Sequence, residues 1–241
     1  MRAAIKFTAE ETGFLPRLVE KDYFCSVILE FLAEAEVPLV FKGGTCLAKV
    51  HSGYFRMSED LDFTIPTSPE AARADRRRAI VPIRKLIASL PARIPAFEVP
   101  VPLAGHNMST QYNATLAYRS PLTQATETIE VEIGIREPTL SPPEHLPVHT
   151  SMRHWVRGDV LLETFPVRCL SYTETMAEKL RAALCRREVA IRDFFDIDHA
   201  VRAGRLSPRE PTILELVRRK LAIRGTMPVD VSAERMEQLR D

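Results

Sequence analysis

The 241-residue sequence has little of what marks secreted, zinc-knuckle or membrane proteins. Its four cysteines (Cys25, Cys46, Cys169 and Cys185) lie far apart, and this spacing argues against both a zinc knuckle and a disulfide framework. No segment reaches the roughly 18 apolar residues of a membrane span, and the N-terminus has no long apolar core. We therefore expect a soluble, unexported protein of the reducing cytoplasm, with no membrane partner.

The sequence also lacks an excess of charge of either sign. Its 33 basic and 32 acidic residues give a formal net charge of +1. This balance excludes an acidic solvating chain and provides no global cationic field for nucleic-acid binding. With 45% hydrophobic and 27% charged residues, the composition is that of an ordinary globular protein. Any contact with a polyanion must therefore be made by a local group of basic residues.

Hydrophobic periodicity predicts a helix, then a mixed sheet, then a helical lobe. Strands are predicted at 37–42, 60–65, 97–101, 111–118 and 128–136. Helices are predicted at 18–35, 45–51, 70–90 (with a kink or break at Pro82), 173–187, 192–203, 208–224 and 230–240. The four prolines of residues 137–150 indicate a loop or lobe connector. We assign an α/β core to residues 1–150 and a helical lobe to residues 151–241.

The strongest chemical signal is a Gly-Gly turn followed by an Asp-X-Asp strand. Gly43 and Gly44 directly follow a predicted strand, which allows close approach of an anion to the backbone. Asp60 and Asp62 lie two positions apart on the next strand, so their oxygens can converge on one divalent ion or bridge two. Either feature alone is usually a plain turn or a solvated strand face, but their order indicates a site for a polyphosphate and for Mg²⁺ or Mn²⁺.

These motifs resemble a known family. The run KGGTCLAKV (42–50) followed by RMSEDLDF (56–63) is similar to the signature of the polymerase-β-like nucleotidyltransferases, and specifically of the AbiEii/MenT toxins of type IV toxin–antitoxin systems. The segments ETMAEKLR (174–181), RDFFDI (192–197) and VEKDY (19–23) resemble further parts of that family. The resemblance implies a polymerase-β-like α/β (α+β) fold, with a mixed sheet and a C-terminal helical lobe.

The resemblance also implies roles for individual residues. The nucleotide would bind at Gly43, Gly44 and Thr45. The metal would bind at Asp60 and Asp62, with a third carboxylate on a neighbouring strand; we choose Glu132 over Glu130 for it. Ser58 would lie beside the nucleotide and metal, where a phosphate on its hydroxyl would silence the enzyme. Arg56, in the same segment, is a second-choice site residue.

Two residues of the helical lobe complete the implied site. The resemblance gives Lys179 a contact with the triphosphate and makes Asp193 the catalytic aspartate, with Asp196 as second choice. Asp193 and Asp196 are three apart and share one helix face. A solvated lysine is the alternative for Lys179, and a favourable charge near a helix N-terminus is the alternative for Asp193.

The implied reaction is transfer of a nucleoside monophosphate from a nucleoside triphosphate to the 3′ end of transfer RNA, which stops translation. The implied partners are tRNA and a cognate antitoxin. Basic residues concentrate at 73–85, 179–192 and 218–224, and on one face they would form a track for RNA phosphates. The alternatives are a small-molecule enzyme that modifies an aminoglycoside, which would want an acidic acceptor pocket, and a non-catalytic module that binds a partner protein.

Overall fold

The computed structural model describes residues 1–186 and 190–223 in two compact units. The first unit comprises Met1–Pro138 and Pro143–Leu170, and the second comprises Thr139–Pro142 and the described residues from Ser171 onward. The predicted helix at 230–240 lies outside the described residues. Within the described ranges, no helix has both the length and the apolar character that a membrane span requires.

The first unit contains a seven-stranded mixed sheet in the order β3-β4-β5-β2-β1-β7-β6. The strands are β1 (Val40–Lys42), β2 (Leu61–Thr64), β3 (Phe97–His106), β4 (Gln111–Arg119), β5 (Thr126–Gly134), β6 (Glu144–Val148) and β7 (Phe165–Cys169). Strand β1 is parallel to β7 and β2 is parallel to β5, whereas all other neighbours are antiparallel. The predicted mixed α+β sheet is thus confirmed.

Two of these strands differ from the sequence-based prediction. Strand β6 lies within residues 137–150, which we expected to be a loop. Its proline is tolerated because β6 is at the edge of the sheet, where one missing amide donor breaks no ladder bond. Strand β7 lies within residues 151–170, which the sequence placed in the helical lobe, yet β7 pairs with β1 and belongs to the first unit.

The first unit also contains helices, some of which pack on the sheet. They are α1 (Arg2–Thr12), α2 (Pro16–Ala33), α3 (Gly43–Cys46, which continues as a π-helical turn over Leu47–His51), α4 (Arg73–Ala79) and α5 (Val81–Arg93). Pro82 lies in the first turn of α5, so the expected break between α4 and α5 is confirmed. Side chains from α2 and α5 share one core with the strands; the ring of Phe24, for example, stacks on that of Tyr118 at 3.8 Å.

The second unit consists of α6 (Tyr172–Cys185), α7 (Ile191–Arg202) and α8 (Pro211–Leu221). The hydroxyl of Ser171 accepts a hydrogen bond from the amide of Glu174 at 3.2 Å, so α6 begins before Thr173, the cap that the sequence suggested. The buried Lys220 ammonium lies 2.7 Å from the Glu174 carboxylate and 3.0 Å from that of Glu178. This ion-pair cluster joins α8 to α6.

A second buried ion pair supports the Gly-Gly turn. The Lys49 ammonium, in the π-helical turn after α3, lies 2.6 Å from Oδ1 of Asp22 in α2. The two side chains are only 1% and 2% exposed. The ammonium also donates to the hydroxyls of Ser26 at 2.7 Å and Tyr54 at 3.1 Å. The segment that follows the turn is therefore anchored to α2 from inside the core.

We expect Lys49→Met to lower the free energy of unfolding by about 3–5 kcal/mol, because it leaves the Asp22 carboxylate buried without its cation. Urea unfolding followed by circular dichroism measures the difference. The matched control is Lys85→Met at an exposed position of α5, which should change stability by less than about 0.5 kcal/mol. If both variants lost equally little stability, the buried pair would not be the anchor described here.

Candidate active site

The turn after β1 presses the backbone against the next strand. Gly43 has φ +79°, in the left-handed region that favours glycine. A Cβ at this position would lie 2.3 Å from Oδ2 of Asp62, so a side chain is excluded by space as well as by backbone conformation. Helix α3 begins at Gly43 and not at Thr45 as predicted. The structure thus brings the predicted phosphate-binding turn into direct contact with a predicted metal ligand.

Gly44 makes room for two further side chains. A Cβ on Gly44 would lie 2.6 Å from Nη2 of Arg56 and 3.2 Å from the hydroxyl oxygen of Ser58. The guanidinium is held from its other side, because Nη1 donates to the carbonyl of Met57 at 3.1 Å. The turn therefore carries a fixed positive charge, which a planar guanidinium can offer to phosphate oxygens in bidentate fashion.

Thr45 and Asp60 are joined through a backbone contact. Thr45 is 1% exposed, and its hydroxyl donates to the carbonyl oxygen of Asp60. The Thr45 side chain therefore holds the approach to β2 in place, a role that the sequence did not indicate. Asp60 itself is exposed and directly precedes β2, which begins at Leu61. Its carboxylate stays a predicted metal ligand.

Three polar residues form a row across neighbouring strands. The parallel pairing of β2 with β5 places Asp62 beside Glu132, and the antiparallel pairing of β5 with β4 places Glu132 beside Asn113. Register partners project from the same face of a sheet, and all three residues are half-buried. Glu130, in contrast, is exposed and accepts a hydrogen bond from the hydroxyl of Thr115 at 3.1 Å. The register favours Glu132 as the neighbour of Asp62.

Asn113 is a candidate that the sequence analysis missed. Its Oδ1 atom is buried and, among the described residues, has no hydrogen-bond partner. Buried polar atoms of this kind are rare in folded proteins. Asn113 occupies one of the alternating polar positions of β4, but only the pairing of β4 with β5 places it beside Glu132. The row therefore offers a buried acceptor next to the paired carboxylates.

The donors at this row suit a hard divalent cation. Mg²⁺ is usually bound by one or two carboxylates together with substrate phosphates, and Asp62 and Glu132 are such a pair beside the glycine turn. The oxygens of Asp60, Asp62 and Glu132 do not form a compact triad. In the described part of the chain, the group of three donors that all lie within 4.8 Å of one another is a different one, which includes two cysteines.

In the helical unit, the predicted lysine holds both predicted aspartates. The Lys179 ammonium lies 3.0 Å from Oδ1 of Asp193 and 3.0 Å from Oδ2 of Asp196. Arg186 approaches Oδ2 of Asp193 at 3.0 Å. Both aspartates are buried and lie on one face of α7, and Asp193 is in its first turn. Lys179 is 14% exposed and ion-paired, so it is not a solvated lysine.

The mixed sheet, the glycine turn and the neighbouring carboxylates agree with the nucleotidyltransferase class that the sequence motifs predict. The family model described as "Nucleotidyl transferase AbiEii toxin, Type IV TA system" matches residues 30–241. The chain therefore belongs to this family and is a nucleotidyltransferase toxin of a type IV toxin–antitoxin system. The family implies a nucleoside triphosphate donor, a divalent metal and an antitoxin partner.

Two solved structures have the same fold. MenT4, a nucleotidyltransferase toxin from Mycobacterium tuberculosis, superposes with a TM-score of 0.67 at 24% identity, over 92% of this chain and 70% of that one. JHP933 from Helicobacter pylori superposes with a TM-score of 0.51 at 17% identity, over 93% of this chain and 98% of that one. Among curated protein sequences, none matches significantly.

We expect Gly43→Ala to reduce nucleotidyl transfer by about 100-fold, because the new methyl group must displace the Asp62 carboxylate. The rate of incorporation of a labelled nucleotide measures the loss. Gly158→Ala is a matched control, since Gly158 has φ +76° but open space around its Cα. Both variants carry similar backbone strain. Equal losses of activity in the two would show that strain, and not the contact with Asp62, limits the reaction.

Proposed function

We propose that this toxin transfers a nucleoside monophosphate from a nucleoside triphosphate to the 3′ end of tRNA, releases pyrophosphate and thereby blocks translation. The observation that carries the proposal is the contact of the left-handed Gly43 turn with Asp62, which is itself in register with Glu132. A bare glycine backbone lets a polyphosphate approach closely, and adjacent carboxylates hold the metal that such a substrate brings. The two features lie at one place in the fold.

In the first unit, some residues would bind the triphosphate and the metal, and one would accept the proton of the acceptor hydroxyl. Gly43 and Gly44 leave the backbone open to the triphosphate, and the guanidinium of Arg56 pairs with its oxygens. Mg²⁺ bound by Asp62 and Glu132, with Asp60 as a further ligand, would neutralise the triphosphate and polarise the reacting phosphorus. Attack by the acceptor hydroxyl requires a base, for which a carboxylate oxygen of Glu132 is the candidate in this unit.

The helical unit has its own candidates for a phosphate-binding cation and a catalytic carboxylate. We assign the triphosphate contact to Lys179 and the catalytic carboxylate to Asp193, as the family resemblance implies. The paired bonds from Lys179 to Asp193 and Asp196 restrict the lysine to one position. Asp196, which is fully buried, serves in this proposal to orient the lysine. An ammonium held in this way loses little conformational entropy when it binds phosphate.

Ser58 is the proposed point at which the toxin is silenced. Its hydroxyl lies against Gly44, beside Arg56. A phosphate on this oxygen would add a charge of about −1.5 to −2 and would take the guanidinium that the triphosphate needs. Either phosphorylation of Ser58 or direct binding of the antitoxin would silence the toxin.

An RNA acceptor is favoured by the exposed basic surface of α4. No residue of α4 is buried, and its last turn carries Arg76, Arg77 and Arg78. A cationic aminoglycoside would be repelled by this surface, whereas RNA phosphates would be attracted. Arg77 and Arg78 of α4 are exposed, although Arg78 also pairs with Asp75, whereas Lys179 and Lys220 of the helical unit are largely buried in their ion pairs. Parts of the predicted basic segments 179–192 and 218–224 lie outside the described residues.

The test of the reaction is incubation of the purified protein with Mg²⁺, each labelled nucleoside triphosphate in turn and total tRNA. We expect label at the tRNA 3′ end, and a loss of at least about 100-fold in Asp62→Asn, because the amide is a weak ligand for a hard cation. Glu163→Gln, at an exposed loop position, is the matched control and should retain full activity. Label on an aminoglycoside in place of tRNA, or growth inhibition that persists in Asp62→Asn, would overturn the proposal.

The basic surface of α4 gives a separate test. We expect Arg77→Ala/Arg78→Ala to weaken tRNA binding and to reduce the slope of log affinity against log salt concentration by about 2, because two phosphate contacts are lost. Filter binding over a series of potassium chloride concentrations measures the slope. Arg119→Ala/Arg157→Ala removes the same charge from exposed positions elsewhere and should leave the slope unchanged. Equal changes in both double variants would exclude α4 as the RNA surface.

A further inference from the structure

Two buried cysteines and a histidine meet in the core behind the Gly-Gly turn. The sulfur atoms of Cys46 and Cys169 and a ring nitrogen of His51 all lie within 4.8 Å of one another. Cys46 ends α3, His51 ends the π-helical turn, and Cys169 ends β7. Cys169 is remote in the sequence from Cys46 and His51, and the reaction proposed above uses none of the three residues.

The π-helical turn is what brings the first two donors together. Residues five apart in an α-helix point in different directions, whereas the wider i→i+5 turn of a π-helix brings them closer. The turn over Leu47–His51 follows Cys46 directly, so His51 is five positions beyond Cys46. The parallel pairing of β1 with β7 then places Cys169 opposite Phe41, close to the start of the same turn. Three separate elements thus supply one donor each.

The histidine is oriented as a metal-binding histidine usually is. Its Nε2 atom lies 2.9 Å from the backbone carbonyl oxygen of Leu170. A hydrogen bond between one ring nitrogen and a carbonyl oxygen fixes the orientation of the ring. Most metal-binding histidines in proteins have a second bond of this kind. The Leu170 amide in turn donates to the carbonyl of Phe41 at 3.0 Å, so the acceptor is itself held in place.

We propose that Cys46, His51 and Cys169 form a binding site for a soft divalent metal ion, with Zn²⁺ as the preferred ion. Thiolate sulfur and imidazole nitrogen are the ligands that select zinc, in contrast to the oxygen row at Asp62 and Glu132. Zinc–sulfur bonds of about 2.3 Å in a tetrahedral site place two sulfurs about 3.8 Å apart. Donors within 4.8 Å of one another reach this spacing by small side-chain movements. Water or the carboxylate of Glu144, which is opposite Cys169 on β6, would occupy the fourth position.

Metal binding would release the thiol protons of both cysteines. The ion would then cross-link the segment after the Gly-Gly turn to β7, so that the site acts on the stability of the turn and takes no part in the reaction.

The test uses the full chain without an affinity tag, stripped with a chelator and titrated with Co²⁺ and then Zn²⁺. Cobalt bound by thiolates gives intense charge-transfer absorption in the near ultraviolet, which oxygen ligands do not give. We expect these bands to saturate at one Co²⁺ per chain and to disappear when Zn²⁺ is added. Asp62→Asn removes the oxygen site and should leave the bands unchanged, so this result is independent of the proposed nucleotidyl transfer.

Cys46→Ser and Cys169→Ser should each abolish the bands. Each should also weaken Zn²⁺ binding by more than roughly 100-fold, because loss of a residue that only supports a ligand already costs roughly 10- to 100-fold. Cys25→Ser is the matched control, since Cys25 is also fully buried but lies in α2, and it should retain both. The absence of thiolate bands from the unmodified chain would overturn the proposal even if the variants failed to fold. Bands that persist in a folded Cys169→Ser variant, or a Cys46–Cys169 disulfide found by mass spectrometry in a chain that binds no metal, would also overturn it.

Discussion

The candidate site depends on one steric constraint, the close approach of the backbone at Gly43 to the side chain of Asp62. A side chain at residue 43 would overlap the carboxylate, and its Cβ would also strain the left-handed backbone. The same absence of a side chain at Gly44 admits Arg56 and Ser58. Two positions without a side chain therefore bring a carboxylate, a guanidinium and a hydroxyl to one turn.

The residues around the turn hold this contact in place. The hydroxyl of Thr45 bonds the carbonyl that precedes β2, and the buried Lys49–Asp22 pair anchors the following segment to α2. The VEKDY segment, which carried part of the family resemblance, thus has a structural task. Its Glu20 accepts hydrogen bonds from the hydroxyl and the amide of the 120–122 loop, and Asp22 also accepts from Ser151 at 2.8 Å. The buried carboxylates of Glu20 and Asp22 therefore stabilise the fold of the first unit.

The helical unit follows the same physical rule with different residues. Burial of Asp193 and Asp196 is tolerated because Lys179 pairs with both and Arg186 pairs with Asp193. Burial of Glu174 is tolerated because Lys220 pairs with it and two backbone amides of the 140–141 segment donate to its oxygens. The ion pairs of Lys179 therefore join α6 to α7, the two helices that carry the family's second signature. Whatever Lys179 does for the substrate, it also stabilises this unit.

The sequence by itself determined the class of fold, the order of most elements and the turn-and-strand motif, because local periodicity and glycine placement are properties of short segments. It missed β6 and β7, whose prolines and shortness give no period, and whose formation depends on pairing with distant strands. Only the tertiary structure decided that Glu132 lies between Asp62 and Asn113, and that Cys46 and Cys169 meet at His51. Strand register and the packing of a helical turn on a remote strand are non-local, so no short stretch of sequence contains them.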